Sequence, residues 1–177
     1  MNSKVIVSAT GHGLARAVSN GNGVWTVESM LADKDVRALA RDPLNPGVIY
    51  AGTQDAGVLR SEDKGQTWSP AGLADRPVKS LAASPHEAGV IYAGTKPAGV
   101  SVTRDRGQSW ADLEAFRKIR GYRFWRSPAE PPDWRAYVQA LAISPTDPNV
   151  LMAGVEFGAV VRSEDGGFSF GTIPGYT

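Results

Sequence analysis

The sequence predicts an all-β fold made of four-stranded antiparallel modules arranged as β-propeller blades, and two observations predict it. The first is composition: the 177 residues are 42% hydrophobic, and 20 glycines and 12 prolines are spread along the chain. Such a composition is typical of a packed core built from short strands and tight turns. The second is an internal repeat, whose three copies cover 36–73, 78–116 and 138–177. Each copy is about 40 residues long, which is the length of one propeller blade.

Every copy begins with two strands of different pattern. Strand A alternates apolar and polar residues and ends in proline, which is typical of a half-buried strand. Strand B is more continuously apolar and carries a small Ala-Gly pair near its end in every copy, so it is expected to pack closely. Strand A covers 36–43, 78–85 and 138–145, and strand B covers 48–53, 90–95 and 150–155.

Strand C leads into a turn motif, Ser/Thr-x-Asp-x-Gly-x-x-aromatic, after which strand D begins. The hydroxyl and the carboxylate can accept hydrogen bonds from the turn's own backbone, and the glycine supplies a positive φ. The aromatic residue is expected to fill the space between neighbouring sheets. The motif residues are Ser61, Asp63, Gly65 and Trp68; Thr103, Asp105, Gly107 and Trp110; and Ser163, Asp165, Gly167 and Phe170.

The spacing of the motif shows one insertion and one further partial unit. Asp63, Asp105 and Asp165 are 42 and then 60 positions apart, so the last copy is preceded by an insertion, which we place at 117–135. Residues 4–28 match strands B, C and D of another blade, without a strand A of its own. The turn motif of this partial blade has decayed, and what remains of it is Asn20, Asn22 and Trp25.

The turn motif and its repeat resemble the Asp-box, or bacterial neuraminidase repeat, superfamily. This superfamily includes sialidases, xyloglucan hydrolases, the sortilin ectodomain and the photosystem II assembly factor. The resemblance implies that the Asp-boxes are structural fasteners away from the active face. Three equivalent aspartates on separate blades also cannot converge on one site, and each box lacks the further oxygen ligands that calcium requires.

The propeller arrangement predicts which loops carry function. Strand A is innermost and strand D outermost, so the A-to-B and C-to-D turns share one rim, here called the lower rim. The B-to-C and D-to-A loops share the other, the upper rim, and loops on a rigid scaffold commonly carry recognition. The B-to-C loops contribute His12, Gln54, Asp55, Lys96, Glu156 and Phe157.

The insertion 117–135 is a D-to-A connection and is therefore expected on the upper rim. It combines aromatic rings with arginines, a mixture suited to sugar rings, carboxylates or a partner protein. The alternative is a loop that packs over a blade junction without binding anything. The candidate ligand-binding residues of the insertion are Arg120, Tyr122, Arg123, Trp125, Arg126 and Trp134.

Two functions remain open. We expect a binding propeller that presents its upper rim to a glycan or a protein. The alternative is glycoside hydrolysis, for which Asp55 and Glu156 are the candidate carboxylate pair, unless they are solvated loop residues. Sialidase activity is disfavoured because the chain lacks an Arg-Ile-Pro motif near its start and a triad of arginines. Arg16, moreover, occupies a repeat position that Arg60 and Arg162 share.

Charge and composition exclude other classes. Nineteen Lys and Arg residues against 18 Asp and Glu residues give no excess for binding nucleic acid or an anionic membrane surface. No segment approaches the roughly 20 apolar residues of a membrane span. With no cysteine, no nucleotide fingerprint and no metal motif, we expect no cofactor and no metal. The apolar stretch near the N-terminus is too short for the core of a signal peptide, so we expect a cytoplasmic location.

The number of blades predicts an incomplete ring. Three blades and a partial one fall short of the 4 to 8 full blades with which propellers close. The chain is therefore expected to be a fragment of a longer propeller, or to complete its ring by self-association.

Overall fold

A computed structural model describes residues 4–10, 12–128 and 132–173. They form four antiparallel sheets, one for each blade, so the all-β prediction is confirmed. Blade 1 contains β1 (Val5–Ala9), β2 (Leu14–Ser19) and β3 (Trp25–Met30). Blade 2 contains β4 (Val36–Arg41), β5 (Ile49–Thr53), β6 (Val58–Ser61) and β7 (Ser69–Pro70). Blade 3 contains β8 (Val78–Ala83), β9 (Ile91–Thr95), β10 (Gly99–Thr103) and β11 (Ala111–Asp112). Blade 4 contains β12 (Val138–Ile143), β13 (Leu151–Val155), β14 (Val160–Ser163) and β15 (Gly171–Thr172). The predicted end of the last repeat, 174–177, lies outside the described residues.

Neighbouring strands in each sheet follow one another in sequence. Blades 2, 3 and 4 pair their strands in the order A, B, C, D, whereas blade 1 has three strands in the described residues. Ala9 pairs with Leu14 in blade 1 as Gly52 pairs with Val58 in blade 2, so β1 is a strand B. The innermost strands β4, β8 and β12 lie side by side, and the described residues form no closed ring.

The glycine of strand B sets how closely successive blades approach. A Cβ on Gly52 would lie 2.6 Å from Cγ1 of Val78, and one on Gly94 would lie 2.7 Å from Cγ1 of Val138. Each valine is the first residue of strand A in the next blade. A side chain at either glycine would push two blades apart, which explains the small residue in the repeat.

The core consists of three hydrophobic clusters, one at each junction between successive blades. The aromatic residue of each Asp-box, Trp68, Trp110 or Phe170, packs against the cluster that joins its blade to the preceding one. Each box therefore closes a junction with its aromatic ring, as the motif predicts.

The connection between blades 3 and 4 contains short helical turns. A helix, α1, covers Glu114–Arg117 and a 3₁₀ turn covers Tyr122–Phe124, so the segment is more ordered than the loop that the sequence predicts. Phe116 is fully buried and anchors it. No helix in the described ranges has the length and apolarity needed to cross a bilayer.

Candidate ligand-binding rim

Each Asp-box directs its polar groups into its own turn. Ser61 Oγ accepts a hydrogen bond from the Gly65 amide and donates one to the Asp63 carboxylate, both at 2.8 Å. The same carboxylate accepts bonds from the amides of Gln66 and Thr67, both at 2.9 Å. Desolvation raises the pKa of Asp63, but these hydrogen bonds outweigh it and hold the pKa well below its usual range.

The other two boxes share this geometry. Hydrogen bonds from the hydroxyl and amide of Ser109 lower the pKa of Asp105 to about 2, and those from Ser169 lower the pKa of Asp165 to about 2. Each carboxylate is therefore ionised and engaged by its own turn. That arrangement supports a structural role, in which each carboxylate stabilises its own turn, and it does not support a catalytic role.

The boxes and the B-to-C loops lie on opposite rims. Every box is bound to the A-to-B turn of its own blade, and the bonds run from Lys64 N to Gly47 O, Arg106 N to Gly89 O and Gly166 N to Asn149 O. The B-to-C loops of blades 2, 3 and 4 instead donate to the residue just before strand A. These bonds run from Gln54 N to Asp35 O, Lys96 N to Pro77 O and Glu156 N to Tyr137 O, at 2.9 to 3.0 Å.

A polar network crosses the upper rim from blade 2 to blade 4. The buried Lys79 donates to Gln54 Oε1 at 2.7 Å and lies 5.1 Å from the ring centroid of Tyr137. Tyr137 donates from its hydroxyl to Glu156 Oε1 at 2.9 Å, and Ser127 donates to Glu156 Oε2. Two predicted rim residues, Gln54 and Glu156, are thereby joined through Lys79 of strand A in blade 3 and through Tyr137, which directly precedes strand A in blade 4.

Sequence reasoning missed Lys79 and Tyr137. The pairing of β8 with β9 shifts register between Val78 and Ser80, so Lys79 is the extra residue of a β-bulge. A signal was available, because the second position of strand A carries a long polar residue in every copy, Arg37, Lys79 or Gln139.

The two candidate catalytic carboxylates have different surroundings. Asp55 is exposed and lies 3.6 Å from Nζ of Lys34, whereas Glu156 is held by Tyr137 and Ser127. Among the described residues, no hydrogen bond or ion pair joins both carboxylates to one group. The carboxylate of Glu156 therefore has a defined position, whereas the described residues include no common partner for Asp55 and Glu156.

The insertion is fixed to the B-to-C loop of blade 3. Tyr122 donates from its hydroxyl to Ala98 O at 2.7 Å, and both Tyr122 and Trp125 pack edge-on against Phe116. Lys96 is 3% exposed and donates to Asp133 O at 3.1 Å. The Tyr122 hydroxyl and the Lys96 ammonium both hold the insertion in place, and the contact of either residue with a ligand stays a prediction.

A groove with a volume of about 180 Å³ lies between this loop and the insertion. The rings of Tyr122 and Trp125 line it together with Arg123, Arg126 and Arg135. Arg135 is held by the Asp133 carboxylate, whose hydrogen bond raises the pKa of the guanidinium. Arg123 and Arg126 are exposed, and no carboxylate in the described part of the chain pairs with them.

The remaining candidates surround this groove or lie farther along the rim. His12 and Arg120 are exposed, and Trp134 and Phe157 are 52% and 70% exposed. Phe124, another aromatic residue of the insertion, is 86% exposed and adds an apolar side chain beside them.

A larger cavity lies away from these groups. It has a volume of about 460 Å³ and lies between blades 1 and 2, where Val5, Val7, Leu39, Arg41 and Ile49 line it. It borders the inner edge of β1, where a strand A pairs in the other blades. This cavity is therefore a feature of the partial blade. Within the described ranges, no three side chains of the types that bind metals come together.

Successive four-stranded blades, each closed by an Asp-box turn, define the class of this chain, a partial β-propeller. No protein-family model and no curated protein matches its sequence. Solved structures match its fold. An ancestral GH74 enzyme is similar with a TM-score of 0.68 and 19% identity, over 97% of this chain and 22% of that chain.

Two further structures give the same result. The GH74 enzyme of Niastella koreensis is similar with a TM-score of 0.67 and 18% identity, over 97% of this chain and 29% of that chain. YCF48 from Cyanidioschyzon merolae is similar with a TM-score of 0.55 and 18% identity, over 77% of this chain and 36% of that chain. These matches establish the propeller fold, and this chain spans only 22% to 36% of the three structures.

Proposed function

We propose that the chain is a binding module whose upper-rim groove takes an acidic segment of a partner protein. The observation that carries the proposal is the position of Arg123 and Arg126. Both line the groove beside Trp125, and neither pairs with a carboxylate of the described residues. A guanidinium that lacks an internal partner is available to a carboxylate of a ligand.

The chemistry of the groove matches that of protein interfaces. Arginine, tryptophan and tyrosine are the side chains enriched at interface hot spots. Arg126 can bind a carboxylate bidentately, while Trp125 and the exposed Phe124 offer apolar surface next to it. A ligand that combines acidic and apolar side chains can contact both the arginine and the apolar surface beside it.

The size of the groove favours a protein over a small ligand. Its volume of about 180 Å³ is below the roughly 300–1,000 Å³ of pockets that enclose small molecules. It can admit one anchoring side chain of a larger partner. A glycan is the other ligand class suggested by aromatic rings beside arginines.

The groove is organised before any ligand arrives. The Ala98 amide donates to Ala136 O at 2.7 Å and the Ser127 amide donates to Trp134 O at 2.9 Å. Together with the bond from Tyr122 to Ala98, these contacts fix both walls, so little conformational entropy is lost on binding.

Selection of phage-displayed random peptides on the purified chain tests the proposal. We expect enriched peptides rich in Asp and Glu, and an affinity that Arg126→Ala lowers about tenfold or more, the loss typical of one charged hydrogen bond. The matched control is Arg104→Ala, since Arg104 is exposed on the lower rim. Equal binding by both variants, or binding on a glycan array without any acidic peptide, would contradict the proposal.

Glycoside hydrolysis is the second candidate, and the fixed position of Glu156 favours it. Hydrogen bonds from Tyr137 and Ser127 orient that carboxylate toward the network of the upper rim. Hydrolysis usually needs a second carboxylate facing the same bond, and Asp55 instead pairs with Lys34. Binding is therefore the better supported function.

A further inference from the structure

The insertion is held from two sides by one position of the repeat. Lys96 and Glu156 are the first residues after strand B in blades 3 and 4, and the amide of each bonds to the residue before strand A. Lys96 Nζ donates to Asp133 O at 3.1 Å, while Glu156 Oε2 accepts a hydrogen bond from the Ser127 hydroxyl. Two side chains of opposite charge at equivalent positions therefore fix two points of the insertion.

Ser127 is the point at which the segment that carries Arg126 is attached. Ser127 is fully buried, and its amide donates to Trp134 O at 2.9 Å. Directly beside it, Arg126 faces Arg135 in an antiparallel β-bridge. The contacts of Ser127 therefore fix the backbone from which Arg126 reaches the groove.

The carboxylate of Glu156 is fixed by both of its oxygens. Oε1 accepts a hydrogen bond from the Tyr137 hydroxyl at 2.9 Å, and Oε2 accepts the one from Ser127. The Glu156 amide also donates to Tyr137 O at 3.0 Å. A buried hydroxyl that loses its acceptor costs free energy, so the segment around Ser127 depends on Glu156 for its position.

The negative charge of Glu156 acts against an acidic ligand. A carboxylate beside the groove lowers the positive potential that Arg123 and Arg126 create, so by charge alone it weakens the binding of a second carboxylate. By holding Ser127, the same side chain strengthens that binding. Because the two effects have opposite signs, a substitution that separates them shows which one dominates.

We propose that Glu156 is a positioning residue for Arg126, which it holds through Ser127 in the orientation that receives a carboxylate of the ligand. The inference rests on the proposed function, in which the groove binds an acidic segment. Glu156 acts through its hydrogen bond to Ser127 and does not contact the ligand. Its fixed position is then explained without glycoside hydrolysis.

Calorimetric titration with an enriched acidic peptide tests the inference. Glu156→Ala should weaken binding about tenfold or more, because Ser127 loses its acceptor and Arg126 its orientation. Glu156→Gln keeps an oxygen for the Ser127 hydroxyl and removes the charge, so it should bind at least as tightly as the wild type. The matched control is Glu164→Ala, which removes a carboxylate of the same blade that is 67% exposed on the lower rim.

The direction of each change separates the possible roles. Tighter binding by Glu156→Ala would mean that only the charge matters, and equal weakening by Glu156→Ala and Glu156→Gln would mean that the hydrogen bond does not. Either result overturns the inference. Unchanged binding by Arg126→Ala overturns the proposed function instead, and the link from Glu156 to Ser127 is then decided without a ligand.

Amide hydrogen exchange measured by NMR gives that ligand-free readout. The Ser127 amide should exchange about tenfold faster or more in Glu156→Ala, and at the wild-type rate in Glu156→Gln. The Ala71 amide, which is bonded to Val58 O in blade 2, should exchange equally in all three proteins. An unchanged rate at Ser127 overturns the inference, and so does an equal acceleration at Ala71, because the effect would then be global unfolding.

Discussion

Replacing Thr103 by valine tests how an Asp-box stabilises the fold. The Thr103 hydroxyl is buried, accepts a hydrogen bond from the Gly107 amide at 2.9 Å and donates to Asp105 at 2.7 Å. Valine has nearly the same shape, so the change opens no cavity. It removes the hydroxyl and leaves the buried Gly107 amide without its acceptor.

The expected cost follows from that amide. A buried donor left without a partner costs about 1–3 kcal/mol, and we take about 2 kcal/mol. With a urea m-value of about 2 kcal/mol/M, the midpoint of unfolding should fall by about 1 M at unchanged slope.

Urea unfolding followed by tryptophan fluorescence measures the shift. The control is Ser69→Ala, because the exposed Ser69 hydroxyl makes only a 3.4 Å contact with Arg60 O. Its effect should stay within about 0.5 kcal/mol. If Thr103→Val costs no more than Ser69→Ala, the box hydroxyl does not fasten the turn and the reasoning fails.

Three further predictions follow from the same geometry. The pKa values of Asp105 and Asp165 lie at about 2, below the unfolded-state value of about 3.9, so their contribution to folding stability is complete above about pH 3.9 and is lost as the pH falls toward 2. The melting temperature should therefore drop as the pH is lowered from about 3.9 to about 2, and a melting temperature that stays constant over this range would contradict the prediction. Gly107→Ala should lower the melting temperature more than Gly121→Ala, since both have a φ of +90° but only Gly107 has backbone within 3 Å of the added Cβ. If the rim hydrolyses glycosides, Glu156→Gln should abolish turnover on aryl glycosides and xyloglucan, whereas a wild type inactive on every substrate supports binding.

The fold could be predicted from the sequence because the box turn is a local structure. Ser61, Asp63 and Gly65 bond to one another within five positions, so their spacing alone specifies the turn. Since the motif recurs in register with the strands around it, one turn predicts a whole blade.

The upper rim could be predicted only in part. Gln54 and Glu156 are on the expected rim because loop order follows from strand order. The buried position of Lys96 depends on how the insertion folds back, which the repeat does not encode, whereas Lys79 occupies a bulge that recurs at the second position of strand A in blades 2, 3 and 4. The packing of Tyr122 against Phe116 could not be predicted, because an aromatic ring in a loop looks the same in sequence whether it packs or binds.

The three copies of the repeat nevertheless separate structural positions from candidate functional ones within a single chain. Positions that bond to their own turn are nearly the same in every copy, as Asp63, Asp105 and Asp165 are, because a side chain without an acceptor there leaves backbone amides unpaired. The B-to-C loops use backbone bonds for their own geometry, so their side chains are free to differ, as Lys96 and Glu156 do. Divergence between copies therefore marks the rim on which a ligand can be recognised.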